Sequence, residues 1–182
     1  DKAKKMPKDR LNIAEQEYLK DVAIRTWGFF SKYINKENNY LIPDNFQEDR
    51  NPQTVDRTSS TNIGLSILAV ISSTDLGFIK KEEAIKLLEN MINTIEELPK
   101  WCGHLYNWYN IKTKKPLIPR YISTVDSGNF VGYLYVLKGF LQHELENEQD
   151  ENKQNELQTL IDRVDNMIKA TDFSMLYSKG HT

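Results

Sequence analysis

Four polar strings in this sequence carry the residue types that bind hydroxyl-rich ligands. The first is Pro43-Asp44-Asn45-Phe46-Gln47-Glu48-Asp49, which sets three carboxylates and two amides around one aromatic ring. Carboxylates and amides hydrogen-bond hydroxyl groups and an aromatic face stacks on C–H-rich rings, so the string fits a sugar-binding loop. The plainer reading is a solvated acidic loop with Phe46 tucked into the core. The second, Arg57-Thr58-Ser59-Ser60-Thr61-Asn62, runs into an apolar segment. An N-cap uses one or two such residues, and six in a row exceed that need. Arg57 can pair with Asp56 or Asp126, or hold an anionic or hydroxyl-rich ligand.

The third string, Gly103-His104-Leu105-Tyr106-Asn107-Trp108-Tyr109, alternates aromatics with hydrogen-bonding groups. It reads as a stacking platform or as a β-hairpin with its aromatics turned inward, and His104 alone reads as a structural hydrogen-bonder. The fourth, Ser123-Thr124-Val125-Asp126-Ser127-Gly128-Asn129, opens a helical pattern, with Asp126 placed to cap it. Asp-Ser-Gly is not the G-x-S-x-G elbow of a serine hydrolase. Cys102, beside Trp101, reads as a small buried filler.

Composition excludes several other chemistries. The 182 residues hold 24 Lys+Arg against 26 Asp+Glu, a net charge of −2, which lacks the dense basic face of a nucleic-acid binder. One cysteine and 3 histidines exclude a disulfide framework and make a zinc or other metal site improbable; no metal and no cofactor is expected. The longest uncharged stretch, 58–74, is interrupted by Ser, Thr, Asn and Gly and falls short of the ~20 apolar residues of a membrane span. With 39% hydrophobic residues, including 3 Trp, 9 Tyr and 7 Phe, the chain can fill a core.

Five helices are expected to position these strings. Residues 1–10, basic and aperiodic, read as a lead-in or linker. Asn12 and Glu15 suggest a capping box for a first helix, whose stripe is Tyr18, Leu19, Val22, Ala23, Thr26, Phe29, Phe30 and Tyr33. A second helix over 60–74, capped by Ser59 or Ser60, is apolar nearly all round and should be buried. A third, over 81–98, is amphipathic. A fourth runs from Asp126 or Ser127 to about 146, with Gly128, Gly132 and Gly139 suggesting close packing, and a fifth covers 152–170. The tail 171–182 is too short for another element.

Loop lengths give the architecture. Antiparallel neighbours put the long connections 40–57 and 99–126 at one end and the short ones at the other. The second and fourth helices begin where the long loops end, so both positive N-termini face that end. Inner and outer helices alternating, with every elaborate loop on one face, is how an α/α toroid builds a carbohydrate cleft.

The strings RTWGFF (25–30), IPDNFQED (42–49), DRTSSTNIGL (56–65), DLGFI (75–79), GHLYNWY (103–109), PRYISTVDSGN (119–129) and TDFSMLY (171–177) together carry a resemblance. In this order the sequence resembles the middle, glucoamylase-like region of cyclic β-1,2-glucan synthases over roughly 11–177, with Ser60 where the family has Pro. The resemblance implies an all-α fold, a partial (α/α)6-barrel. It implies that 11–182 are the N-terminal part of a glucoamylase-like domain, truncated at the C-terminus, from the cytoplasmic side of a large bacterial inner-membrane protein. The fragment itself is expected to be soluble and to make no membrane contact. The implied reaction is ring closure by retaining transglycosylation. The implied partners are a β-1,2-glucan and the remaining modules of the parent, with self-association through uncovered apolar faces. By resemblance Asp44, Asn45, Glu48, Arg57, Thr58, Asn62, His104, Tyr106, Asn107, Trp108, Tyr109, Asp126 and Asn129 line the glucan cleft.

A retaining mechanism needs two carboxyl groups ~5–5.5 Å apart. Asp44, Glu48 and Asp126 are weak candidates, and the pair is expected beyond residue 182, so that this chain alone is inactive. The rival expectations are a helical scaffold module without catalysis and part of an independent glucan hydrolase.

Overall fold

The computed structural model describes residues 11–177, so the basic lead-in at 1–10 lies outside the described residues. Five helices form the chain: α1 (Ile13–Tyr33), α2 (Ser60–Asp75), α3 (Lys81–Glu97), α4 (Thr124–Asn147) and α5 (Glu151–Ala170). Their starts follow from cap chemistry. Asn12 and Glu15 form the expected capping box on α1, with Asn12 Oδ1 accepting from Glu15 N at 3.0 Å and Glu15 Oε2 from Asn12 N at 2.7 Å. Ser59 caps α2 and Asp150 caps α5.

The core lies where α2 packs against α4, with α5 against α4 and α3 and α1 against α2. Ile63, Ile67 and Val70 of α2 meet Leu134, Leu137 and Leu141 of α4, all fully or almost fully buried. At Gly64 a Cβ would overlap the Tyr133 ring, so the closest approach of the two helices requires a glycine. The close packing read into Gly128, Gly132 and Gly139 is wrong: open space surrounds all three. Those glycines share the outward face of α4 with exposed Val125, Tyr135 and Val136.

The stripe on α1 is buried only in part. Trp27, Phe29, Phe30 and Tyr33 pack on the core, whereas Tyr18, Leu19 and Val22 are exposed. The helix is about 32 Å long at 1.5 Å per residue and α2 only about 24 Å, so the first turns of α1 overhang.

Four two-residue strands organise the long loops. β1 (Arg57–Thr58) pairs antiparallel with β4 (Tyr109–Asn110), and β2 (Lys100–Trp101) with β3 (His104–Leu105). The Lys-rich turn expected after 105–109 closes an antiparallel bridge between Tyr109 and Pro116, with Asn110 N donating to Lys115 O and Leu117 N to Trp108 O, each at 2.9 Å, and a tighter, unexpected hairpin forms at 100–105. Its turn residues Cys102 and Gly103 have φ of 46° and 80°, the paired positive angles of a tight β-hairpin. Cys102 is exposed there and is not the buried filler its neighbours suggested. The Lys100 ammonium folds back over the end of α3, donating to the carbonyls of Ile95, Glu96 and Leu98 at 2.5, 3.2 and 3.0 Å. Burial holds its pKa below the usual lysine value.

The tail is also more structured than expected. Phe173–Leu176 form a 3-10 turn, and Asp172 N donates to Cys102 O at 3.1 Å. Gly103 permits this docking, because a Cβ there would strike the backbone of Ala170 and Thr171.

Candidate functional site

Both inner helices start at the same end. Ser59 Oγ accepts from Asn62 N on α2, and Ser123 Oγ accepts from Asp126 N on α4, each at 3.2 Å. Asp126 is thus not the cap the sequence suggested. Helix α4 begins two residues earlier, and the Ser123 hydroxyl takes the free N–H. Asp126 falls in the first turn, where the dipole still favours a carboxylate, and its side chain is released to cross the helix pair. It accepts a short hydrogen bond from Thr61 Oγ1 of α2.

Asp44 is the second anchor. Its backbone N–H donates to Arg57 O at 2.9 Å, which fixes the acidic loop beside β1. Its Oδ2 accepts from Arg57 Nη2 at 2.9 Å and Asn45 Nδ2 at 3.2 Å, and its Oδ1 from Asn62 Nδ2 at 3.1 Å. Arg57 therefore pairs with Asp44, neither with Asp56 nor with Asp126. Its guanidinium lies 4.4 Å from the centre of the Trp108 ring. Trp108 is half-buried, with one face backed by a cation.

Asn107 joins the anchors. With its amide oriented to satisfy both ends, it donates to Asp126 Oδ2 at 3.1 Å and accepts from Trp108 Nε1 at 2.5 Å and Tyr121 Oη at 2.6 Å. Its backbone N–H donates to Tyr121 O at 2.9 Å. Asp44, Arg57, Trp108, Asn107, Asp126 and Thr61 thus form one connected polar and aromatic surface over the N-termini of α2 and α4. Thr61 and Tyr121 were not singled out as site residues. Their signal was position: a hydroxyl two residues past a cap serine, and a phenol two residues before one.

The remaining candidates fall elsewhere. Tyr109 is fully buried, its hydroxyl donating to Pro99 O at 2.6 Å and accepting from Tyr106 N at 2.8 Å; burial pushes its pKa well above the usual phenol value. His104 is buried between Trp101 and Phe173, with Nε2 at 3.0 Å from Asp172 O, so it holds the tail in place. Thr58 is buried too. Tyr106 is half-buried and reaches the surface beside Tyr121. Glu48 and Asn129 are exposed and stand outside the network. Phe46 is neither core nor open platform: it is half-buried, with the Lys32 ammonium 5.1 Å from its ring centre.

Chemically the arrangement grips more readily than it cuts. A general acid must offer a proton to the leaving oxygen. Both oxygens of Asp44 already accept N–H donors, and both of Asp126 accept from Thr61 and Asn107, so each carboxylate is committed as an acceptor. Among the described residues no group of three or more His, Cys, Asp or Glu is placed to hold a metal, and no helix is long and apolar enough to cross a membrane.

Comparison with known proteins finds likenesses in sequence and in fold. The chain is 46% identical over 128 residues to the cyclic beta-(1,2)-glucan synthase NdvB of Rhizobium meliloti (strain 1021). This chain is similar to a short segment of a cyclic β-1,2-glucan synthase. The match covers 69% of the chain and 4% of the synthase, so the chain spans a small part of its relative's length. No family model matches. Among solved structures, a glucoamylase-like protein of Bacteroides fragilis NCTC 9343 superposes with a TM-score of 0.76 at 18% identity, over 97% of this chain and 41% of that one. An endo-beta-1,2-glucanase from Chitinophaga pinensis, in complex with sophorotriose and glucose, gives 0.72 at 15% identity, over 91% of this chain and 38% of that one. The fold of the chain is therefore all-α and glucoamylase-like, part of an α/α toroid.

Proposed function

We propose that this chain forms one wall of a β-glucan cleft, in a protein that remodels β-1,2-glucan by transglycosylation. The connected surface of Asp44, Arg57, Trp108, Asn107 and Asp126 at the paired helix N-termini carries this reading. It sits on a fold shared with a β-1,2-glucanase, in a sequence similar to a β-1,2-glucan synthase. Trp108 offers its free face to a pyranose ring, and the donors and acceptors around it take the hydroxyl groups. Asp44 and Asp126 position these partners. The acid/base and nucleophile come from other residues of the parent protein, whose cytoplasmic-side placement in a bacterial inner membrane belongs to the same proposal.

Titration calorimetry with β-1,2-linked gluco-oligosaccharides tests the reading. Trp108→Ala should weaken binding by about tenfold or more, the loss of roughly 1.4 kcal/mol of stacking. Equal affinities would overturn it. The 182-residue chain should release no reducing ends from the same oligosaccharides, and release would favour an independent hydrolase. A scaffold reading draws on Val125, Tyr135 and Val136, apolar and exposed on one face of α4. It predicts self-association in sedimentation, reversed by Tyr135→Glu.

A further inference from the structure

A second hollow opens beside the Trp108 surface. It measures about 420 Å3 and is lined by Trp101, Tyr106, Arg120, Tyr121, Ile122 and Leu176. That volume lies within the usual range of small-ligand pockets. Trp101, Arg120 and Tyr121 are exposed, and neither the motif strings nor the polar network gives Trp101 or Arg120 a binding role. The three elements that meet here are far apart in sequence: the β2–β3 hairpin, the segment before α4 and the docked tail.

We propose that this hollow is a second sugar subsite, which holds the glucosyl unit next to the one on Trp108. The inference rests on the β-glucan reading of the first site. Its lining is three aromatic rings, two apolar side chains and one guanidinium, with no carboxylate. Ring faces bind the C–H-rich side of a pyranose, and the Arg120 N–H groups and the Tyr106 hydroxyl bind its equatorial oxygens. Arg120 donates to no acceptor among the described residues, so its donors are available to a ligand.

Continuity with the first site identifies the occupant. Tyr121 belongs to both: its ring lines the hollow, while its hydroxyl and carbonyl are hydrogen-bonded to Asn107 at 2.6 and 2.9 Å. Asn107 in turn bonds the Trp108 indole and Asp126. One side chain therefore separates the two surfaces. Adjoining units of a single oligosaccharide can occupy both.

Calorimetry on the full 182-residue chain with a β-1,2-linked disaccharide and pentasaccharide tests this. In the unsubstituted chain the pentasaccharide should bind at least tenfold more tightly. Arg120→Ala and Trp101→Leu should each remove most of that gain and leave disaccharide affinity within about twofold. Trp108→Ala should weaken both ligands. A length-dependent gain that survives in Arg120→Ala and in Trp101→Leu overturns the subsite, and so does its absence in the unsubstituted chain; the β-glucan reading then still stands on Trp108. If the unsubstituted chain binds neither ligand, both proposals fall. Trp101 also packs on His104, so unchanged circular dichroism is required of its variant. Arg120 is a surface residue and carries the test independently.

Discussion

The two ends of the helical stack are built differently. At one end, 76–80 and 148–150 join helices by short turns. The contact that spans this end is ionic: Lys81 Nζ lies 2.6 Å from Glu144 Oε2, close but without the angles of a full hydrogen bond. Glu144 raises the pKa of Lys81 accordingly. At the other end, residues 65 positions apart share a hydrogen bond, as Thr61 and Asp126 do. There Asn39 Nδ2 reaches Ile111 O at 2.7 Å, and β1 pairs with β4. One end merely reverses the chain. The other gathers four distant segments onto two helix N-termini, and the polar surface exists only because α2 and α4 are held side by side.

The sharpest way to break this contrast is to loosen what both ends share. Leu134→Ala, at a fully buried position on α4, should cost about 3 kcal/mol in urea unfolding and weaken glucan binding with it; a cost below about 1 kcal/mol would mean that α2 and α4 do not form a common core. Tyr109→Phe acts under the loop end alone. Its hydrogen bonds to Pro99 O and from Tyr106 N are lost, at about 1 kcal/mol each, so about 2 kcal/mol should be lost at neutral pH. The variant should also change the alkaline limb. The unfolded phenol ionises near its ordinary value of 10.0, while the buried one keeps its proton to higher pH. Stability therefore falls as pH rises above about 10, and removing the phenol should flatten that fall; an unchanged alkaline limb would show that Tyr109 is not its source.

Asp44→Ala should cost less, about 1–1.5 kcal/mol, since Arg57 is half-exposed and regains water. Its larger consequence should be at the ligand, because Arg57 and Asn62 lose their common anchor; unchanged binding of β-1,2-gluco-oligosaccharides would detach Asp44 from the site. Lys81→Ala should do least at the ligand; its ammonium is partly exposed but the Glu144 carboxylate it leaves is buried, so about 1 kcal/mol should be lost. Glucan affinity should not move. A change in affinity would erase the distinction between the two ends.

Much of this was legible in local patterns. Caps and 3.6-residue periodicity locate α2, α3 and α5 within a residue or two, because a helix start is a matter of a few neighbouring groups. The Asn12–Glu15 box reads off the chain for the same reason. The shared loop end followed from connection lengths. The pairing of Arg57–Thr58 with Tyr109–Asn110 did not, since two-residue strands have no period to detect. The capping role of Asp126 went wrong at a run of candidates, since Ser123, Thr124, Asp126 and Ser127 could each cap. The three α4 glycines misled because spacing cannot say which face of a helix meets a partner.

The sequence by itself determined five helices, two long motif-bearing loops, their common end and a resemblance specific enough to name a glucan. Those depend on interactions within a few residues, or on several strings in fixed order. Tertiary structure alone decided that Asp126 reaches Thr61, that Tyr109 and His104 are framework, and that Tyr121 joins Trp108 to a second hollow. The contacts of Asp126, His104 and Tyr121 join residues 14 to 68 positions apart, and Tyr109 is placed by the pairing of β1 with β4; such contacts depend on how distant segments pack, which no local pattern encodes.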